Sequence, residues 1–220
     1  MPLLLLSLIA CKNLPVEAGQ AIGPLTTIDD GFVSAFLLPT AEGAVLFDTG
    51  NDKKAKAVLE ALDSRGLSAD DVTDIFVTHG HGDHVKALSA FPNARVRALE
   101  AERALISEES ADGSTLTEPL AGGDLVEVGG HTIEVFSVPG HTEGSAVFLV
   151  DRVLVMGDVA IGRKDGTIKG PPKFFSDDPE KNDASVRALA EALDARGEVV
   201  DWLAFSHSGP LEGLDPLLNF

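Results

Sequence analysis

The stretch His79-Gly80-His81-Gly82-Asp83-His84 places four metal-ligating side chains within six residues, in a chain of 220 residues that has six histidines. Imidazoles and carboxylates clustered at this spacing are a metal signature, and a metal needs its donors aimed at one point. The preceding run Asp74-Ile75-Phe76-Val77-Thr78 is apolar and β-branched, and reads as a buried strand running into a loop. On a continuing strand His79, His81 and Asp83 would face one side and His84 the other. A loop or a helix start lets all four converge. A helix signal begins at Asp83, with Val85, Leu88 and Phe91 on one face.

Three more candidate ligands follow the same rule. His141 comes after Thr132-Ile133-Glu134-Val135-Phe136-Ser137-Val138 and the turn Pro139-Gly140. Asp158 follows Val153-Leu154-Val155-Met156-Gly157, and His207 follows Trp202-Leu203-Ala204-Phe205-Ser206. Strand ends of this kind gather distant residues into one site. His131 stands apart: it follows Gly129-Gly130 and reads as an exposed residue at a hairpin turn. Asp48-Thr49-Gly50 ends the strand candidate Ala44-Val45-Leu46-Phe47, and taken alone is a strand-ending turn.

Taken together and in this order, Asp48-Thr49-Gly50, Thr78 to His84, Pro139-Gly140-His141-Thr142-Glu143-Gly144-Ser145, Gly157-Asp158 and Ser206-His207 resemble the metallo-β-lactamase-fold superfamily of hydrolases. The resemblance runs from roughly residue 25 to the C-terminus. It implies an α/β (α+β) fold, a four-layered αββα sandwich of two mixed sheets with outer helices. It also implies two metal sites, with His79, His81 and His141 at the first, Asp83, His84 and His207 at the second, and Asp158 bridging them. Two divalent cations would share a hydroxide and clamp a displacement. Zinc is the first expectation, with iron and manganese as alternatives for the same donors. Asp83 is the catalytic candidate, orienting the hydroxide and carrying its proton. Asp48 would lie under the metal loop and orient ligand rings.

Within the superfamily, an Asp at the position of Asp158 is similar to the glyoxalase II-like, lactonase and phosphodiesterase branches rather than to class B β-lactamases. Thirteen residues follow His207, fewer than the glutathione-binding helical region of hydroxyacylglutathione hydrolases, and the chain lacks the Tyr that lactonases commonly place near the site. The reaction expected is hydrolysis of a small ester, thioester or lactone. Two alternatives come from other classes: a mononuclear-iron persulfide dioxygenase, and a non-catalytic metal-binding protein on the same fold.

Composition narrows the partners. Acidic residues outnumber basic ones, 35 to 17, for a net charge of −18. That opposes nucleic-acid binding, which draws affinity from Lys and Arg contacts to phosphates, and leaves a small molecule as the expected partner. The segment from Arg163 to Phe175 carries four basic residues, Arg163, Lys164, Lys169 and Lys173, with Phe174 and Phe175. It reads as a loop, either solvated or facing an anionic or apolar substrate.

The N-terminus suggests three parts. Pro2 to Ala10 is apolar except Ser7, and Leu8-Ile9-Ala10-Cys11 resembles a bacterial lipobox. Residues 1–11 are then a signal ending at Cys11, which would anchor the protein in the cell envelope through lipid. Because no Lys or Arg precedes the apolar run, a mis-assigned start or a cytoplasmic N-terminal strand stays open. Residues 12–24, with Pro15, Gly19, Gly23 and Pro24, read as a tether, and 25–220 as one domain, long enough to bury a single core. In that domain Thr26–Leu38 and Gly43–Asp48 read as paired strands. Lys53–Ser64, Glu100–Glu109 and Asp178–Arg196 read as helices.

Overall fold

A computed structural model describes residues 12–220. Seven strands form the first sheet, in chain order: β1 (Ala21–Ile22), β2 (Leu25–Asp29), β3 (Ser34–Thr40), β4 (Gly43–Phe47), β5 (Val72–Phe76), β6 (Arg95–Leu99) and β7 (Glu118–Leu120). It is antiparallel from β1 to β4 and parallel from β4 to β7. There follow β8 (Leu125–Val128), β9 (His131–Ser137), β10 (Ala146–Val150), β11 (Val153–Gly157), a hairpin of β12 (Ile161–Gly162) and β13 (Ile168–Lys169), then β14 (Trp202–Phe205) and β15 (Leu211–Glu212). The second sheet has the order β15-β14-β11-β10-β9-β8, and its β11–β14 pair is parallel.

The central strands β4, β10 and β11 carry no polar side chain because both of their faces are covered. Along β3, Ala35 and Leu37 face one core while Phe36 and Leu38 face another. Along β10, Phe148 packs between the sheets and Val147 and Leu149 pack outward. The inter-sheet core centres on Phe47, Phe76 and Phe148, with ring centroids 5.4–5.8 Å apart. Each fully buried phenyl stabilises by about 2–3 kcal/mol relative to exposure. Helix α1 (Lys56–Asp63), the single turn α2 (Gly82–Val85) and α3 (Arg103–Glu109) cover the outer face of the first sheet. Helix α4 (Pro179–Ala195) and the short α5 (Asp215–Leu218) cover the second. The result is the four-layered αββα sandwich. Among the described residues no helix is long and apolar enough to cross a membrane.

Several elements differ from the sequence reading. Residues 12–24 are not a tether. Asn13 bridges Arg163, Leu14 donates its amide to the Gly162 carbonyl at 3.0 Å, and Gly209 donates to the Leu14 carbonyl at 2.9 Å. Ile22 is fully buried between the sheets and pairs with Leu25. The segment thus satisfies its backbone on the domain and contributes to the core, despite its Pro and Gly content. Thr26–Leu38 is two strands, broken where Asp30 donates its amide to Val33 and Asp29 accepts from the Gly31 amide. Helix α1 starts later than Lys53, because Asp52 folds the chain into a turn and Ala55 takes a left-handed conformation at φ 51°. The helix after the metal-ligand motif lasts one turn; Ala87 donates its amide to Thr49 Oγ1 at 3.3 Å instead of continuing it. Val85, Leu88 and Phe91 are nonetheless all buried. The expected signal ending at Cys11 lies outside the described residues.

Candidate metal centre

All seven candidate ligands sit at one edge of the sandwich, each just past a strand. His79 to His84 follow β5, His141 follows β9, Asp158 follows β11 and His207 follows β14. The two sheets are tied here: Ala146 donates its amide to the Thr78 carbonyl at 2.8 Å, and Ser34 of β3 donates its amide to the Ser206 carbonyl, just past β14, at 2.7 Å. Gly157 has φ 54°, and a Cβ there would come within 2.7 Å of the Thr78 side chain. The turn that aims Asp158 into the site therefore requires glycine.

Three nitrogens form a tight triangle. His79 Nε2 and His81 Nδ1 are 3.0 Å apart, and His141 Nε2 is 3.1 Å from each. Nitrogens about 2.0–2.1 Å from one tetrahedral zinc would be about 3.3 Å apart, so the spacing fits a shared ion. Asp83, His84 and His207 form a second group, with His207 Nε2 3.4 Å from Asp83 Oδ2 and His84 Nε2 3.8 Å from Asp83 Oδ1. Asp158 reaches both: its Oδ2 is 3.6 Å from His141 Nε2 and 3.0 Å from His207 Nε2, and its Oδ1 is 3.4 Å from His84 Nε2.

The outer ring nitrogens of His79, His84, His141 and His207 have partners that turn their Nε2 atoms inward. Asp48 Oδ2 accepts from His84 Nδ1 at 2.7 Å and from Thr78 Oγ1 at 2.8 Å, and Asp48 Oδ1 accepts from the Thr78 amide. Thr78 Oγ1, having given its proton to Asp48, accepts from His79 Nδ1 at 3.1 Å. His141 Nδ1 lies 3.2 Å from Ser176 Oγ, and His207 Nδ1 donates to the Phe32 carbonyl at 2.7 Å. His79 Nε2 therefore presents a lone pair to the neighbouring rings. His84 Nε2 and Asp158 Oδ1 are buried with no hydrogen-bond partner. Converging lone pairs and orphaned buried polar atoms fit divalent cations held between these residues.

Electrostatics split the histidines. Burial pushes His79 well below the ordinary value, and pushes His141 down to about 4. Burial also opposes a charge on His84, yet the carboxylates of Asp158 and Asp48 hold it well above the ordinary value. His207, despite burial, is raised to about 10 by Asp158 and its hydrogen bond to Asp83. Burial would raise Asp83 and Asp158, but His207 and His84 bring both below the usual carboxylate range.

Asp48 stands where the sequence suggested, beneath the metal loop. His131 stands away from the site, opening β9 with its Nδ1 2.5 Å from Asp151 Oδ2. Trp202 packs half-buried against the inter-sheet core. The segment 163–175 is partly ordered by the β12–β13 hairpin and leaves Phe174 and Phe175 exposed, one residue before Ser176. Sequence reasoning missed Ser176 and Glu102. Glu102 is 1% exposed, and its carboxylate accepts from the backbone of both His-bearing loops.

The metallo-beta-lactamase superfamily model matches residues 28–207, and the chain belongs to that superfamily of metallo-hydrolases. It is similar to Metallo-beta-lactamase domain-containing protein 1 of Xenopus laevis, 32% identical over 157 residues covering 68% of this chain and 63% of that one. It is also similar to a hydroxyacylglutathione hydrolase of Dechloromonas aromatica, 30% identical over 172 residues covering 74% and 57%. The chain spans about three fifths of the length of such curated relatives. A solved metallo-beta-lactamase family protein from Thermus thermophilus superimposes with a TM-score of 0.71 at 22% identity, over 90% of this chain and 78% of its own.

Proposed function

We propose that the chain is a dinuclear metal-dependent hydrolase acting on a small ester, thioester or lactone. The observation that carries this reading is the reach of Asp158, whose carboxylate lies 3.6 Å from a donor of the first group and 3.0–3.4 Å from two donors of the second. A bridging carboxylate makes one bimetallic site of two groups that each fit a single ion. The all-nitrogen and oxygen donor set suits zinc first, and iron or manganese next. Two divalent cations held by these residues would supply Lewis acidity and a water acidified to a pKa near 7.

The chain's own residues do the rest. Asp83 is partly exposed at the mouth of the site, where its carboxylate, ionised beside His207 and His84, can accept a hydrogen from the attacking water. It then hands the proton toward the departing oxygen or sulfur. Asp48, Thr78, Ser176 and the Phe32 carbonyl orient the rings of His84, His79, His141 and His207, which limits how far these ligands must reorganise during the reaction. The similarity to a protein named for hydrolysis of an acylated glutathione supports a thioester among the substrates.

Asp158→Ala, reconstituted with excess metal and assayed on ester, thioester and lactone panels, should lower kcat/KM by roughly a thousandfold. That corresponds to about 4 kcal/mol of lost transition-state stabilisation. Retained hydrolysis in the metal-replete variant would sink the bridging role.

A further inference from the structure

Glu102 is a buried carboxylate that the hydrolytic reading does not use. It sits in the tight turn Glu100–Glu102 leading into α3 and touches neither group of donors. Its Oε2 accepts from the Gly80 amide at 2.5 Å, between His79 and His81. Its Oε1 accepts from the Gly144 amide at 2.7 Å and from Thr142 Oγ1 at 2.8 Å, just past His141. Both loops approach so closely that each needs glycine. A Cβ on Gly80 would come 2.9 Å from Oε2 and from the Ile106 amide nitrogen, and one on Gly144 would come 2.8 Å from Glu102 Cγ and Oε1.

We infer that Glu102 is a positioning residue that sets the distance between the loop carrying His79 and His81 and the loop carrying His141, and so tunes the three-histidine cation site selectively. The inference rests on the dinuclear reading above. Selectivity follows from where the Glu102 bonds fall, beside His79, His81 and His141 only, whereas Asp48 serves both groups, through the His84 ring and through Thr78 under His79. The second group is held from another side, by Thr49, whose amide and hydroxyl donate to the His84 carbonyl at 2.7 and 3.0 Å, and by Asp48 on the His84 ring. A carboxylate is also the group the site demands. Glutamine has one acceptor oxygen, so Glu102→Gln turns a donor toward the Gly80 or the Gly144 amide, and one loop loses its acceptor. Burial makes that loss costly, because water cannot replace it.

The test is a zinc titration of the chelator-stripped full chain against a competing chromophoric chelator, for wild type, Glu102→Gln and Thr142→Val. Thr142→Val removes one donor and leaves the carboxylate and both amide bonds, which keeps a readable variant if Glu102→Gln folds poorly. Wild type should bind two equivalents. Glu102→Gln should weaken one of them by about 10–100-fold and leave the other near wild type, with Thr142→Val shifting the same equivalent less. In Glu102→Gln, kcat on any substrate found should recover at saturating zinc with KM unchanged, which general loosening of the fold would not allow. Two unchanged equivalents in both variants, or equal weakening of both, would overturn the inference. A single equivalent in wild type would instead overturn the dinuclear reading, and the Glu102 comparison would then be read on that equivalent.

Discussion

The same imidazole ring does different work at His84 and His207 than at His79 and His141, because the carboxylates are distributed unequally. His84 lies between Asp48 and Asp158, and His207 between Asp83 and Asp158, so both hold a proton to high pH in cation-free protein. His79 and His141 are buried among other rings and are neutral at pH 7. A cation must displace whatever proton its ligand carries. The shift is upward at both rings, with His207 raised to about 10, so both still carry their protons near neutral pH and must lose them when metal enters. Binding at the first group should therefore release few protons near neutral pH, and binding at the second should release one each from His84 and His207. Its apparent affinity should then rise by up to tenfold per pH unit for each proton displaced. Calorimetric titrations in buffers of different ionisation enthalpy read this directly; equal proton release for both equivalents would contradict the electrostatic split. At this scale the candidate histidines stood out in the sequence because histidine is rare in this chain and five of the six lie in or beside segments that follow apolar runs; Asp83 and Asp158, of a common residue type, were singled out only by the motifs that carry the resemblance. Glu102 was not, because Glu100-Ala101-Glu102 at the start of a helix has the composition of any solvated helix start, and only the tertiary approach of Gly80 and Gly144 reveals its use.

At the scale of elements, the strands buried on both faces were the easiest to read, since continuous apolar runs such as Ala146–Val150 leave no solvent-facing side. What was not legible is where backbone hydrogen bonds override composition. The turn at residues 30–33, opened by Asp29-Asp30-Gly31, divides what was read as one strand into β2 and β3, and β7 forms from Glu118-Pro119-Leu120, which carries no strand signal of its own. The segment 12–24 is the largest difference. Its prolines and glycines resemble a linker, but Ile22 supplies one fully buried side chain and the strap around Leu14 lies between the β12–β13 hairpin and Gly209, two residues beyond His207. Ile22→Ala should lower the unfolding free energy by about 2–4 kcal/mol, the usual cost of removing a buried aliphatic side chain. Urea denaturation checks it, and an unchanged midpoint would return the segment to the status of a tether.

For the molecule as a whole, the two sheets pack on one shared core, and their common edge brings four distant strand ends into a single site. The fold makes a three-histidine set in which His79 and His141 are 62 residues apart along the chain. The layer order was available to sequence reasoning only through resemblance, because periodicity reports which faces are buried and not what covers them. The net charge of −18 surrounds the site with a negative field, which attracts cations and repels anions at long range and is weakened by salt. If this edge holds two cations joined by Asp158, elemental analysis of the full chain, purified without chelator or affinity metal, should give two equivalents of divalent metal per chain, zinc foremost. One equivalent of iron, or no metal at all, would rule the dinuclear site out.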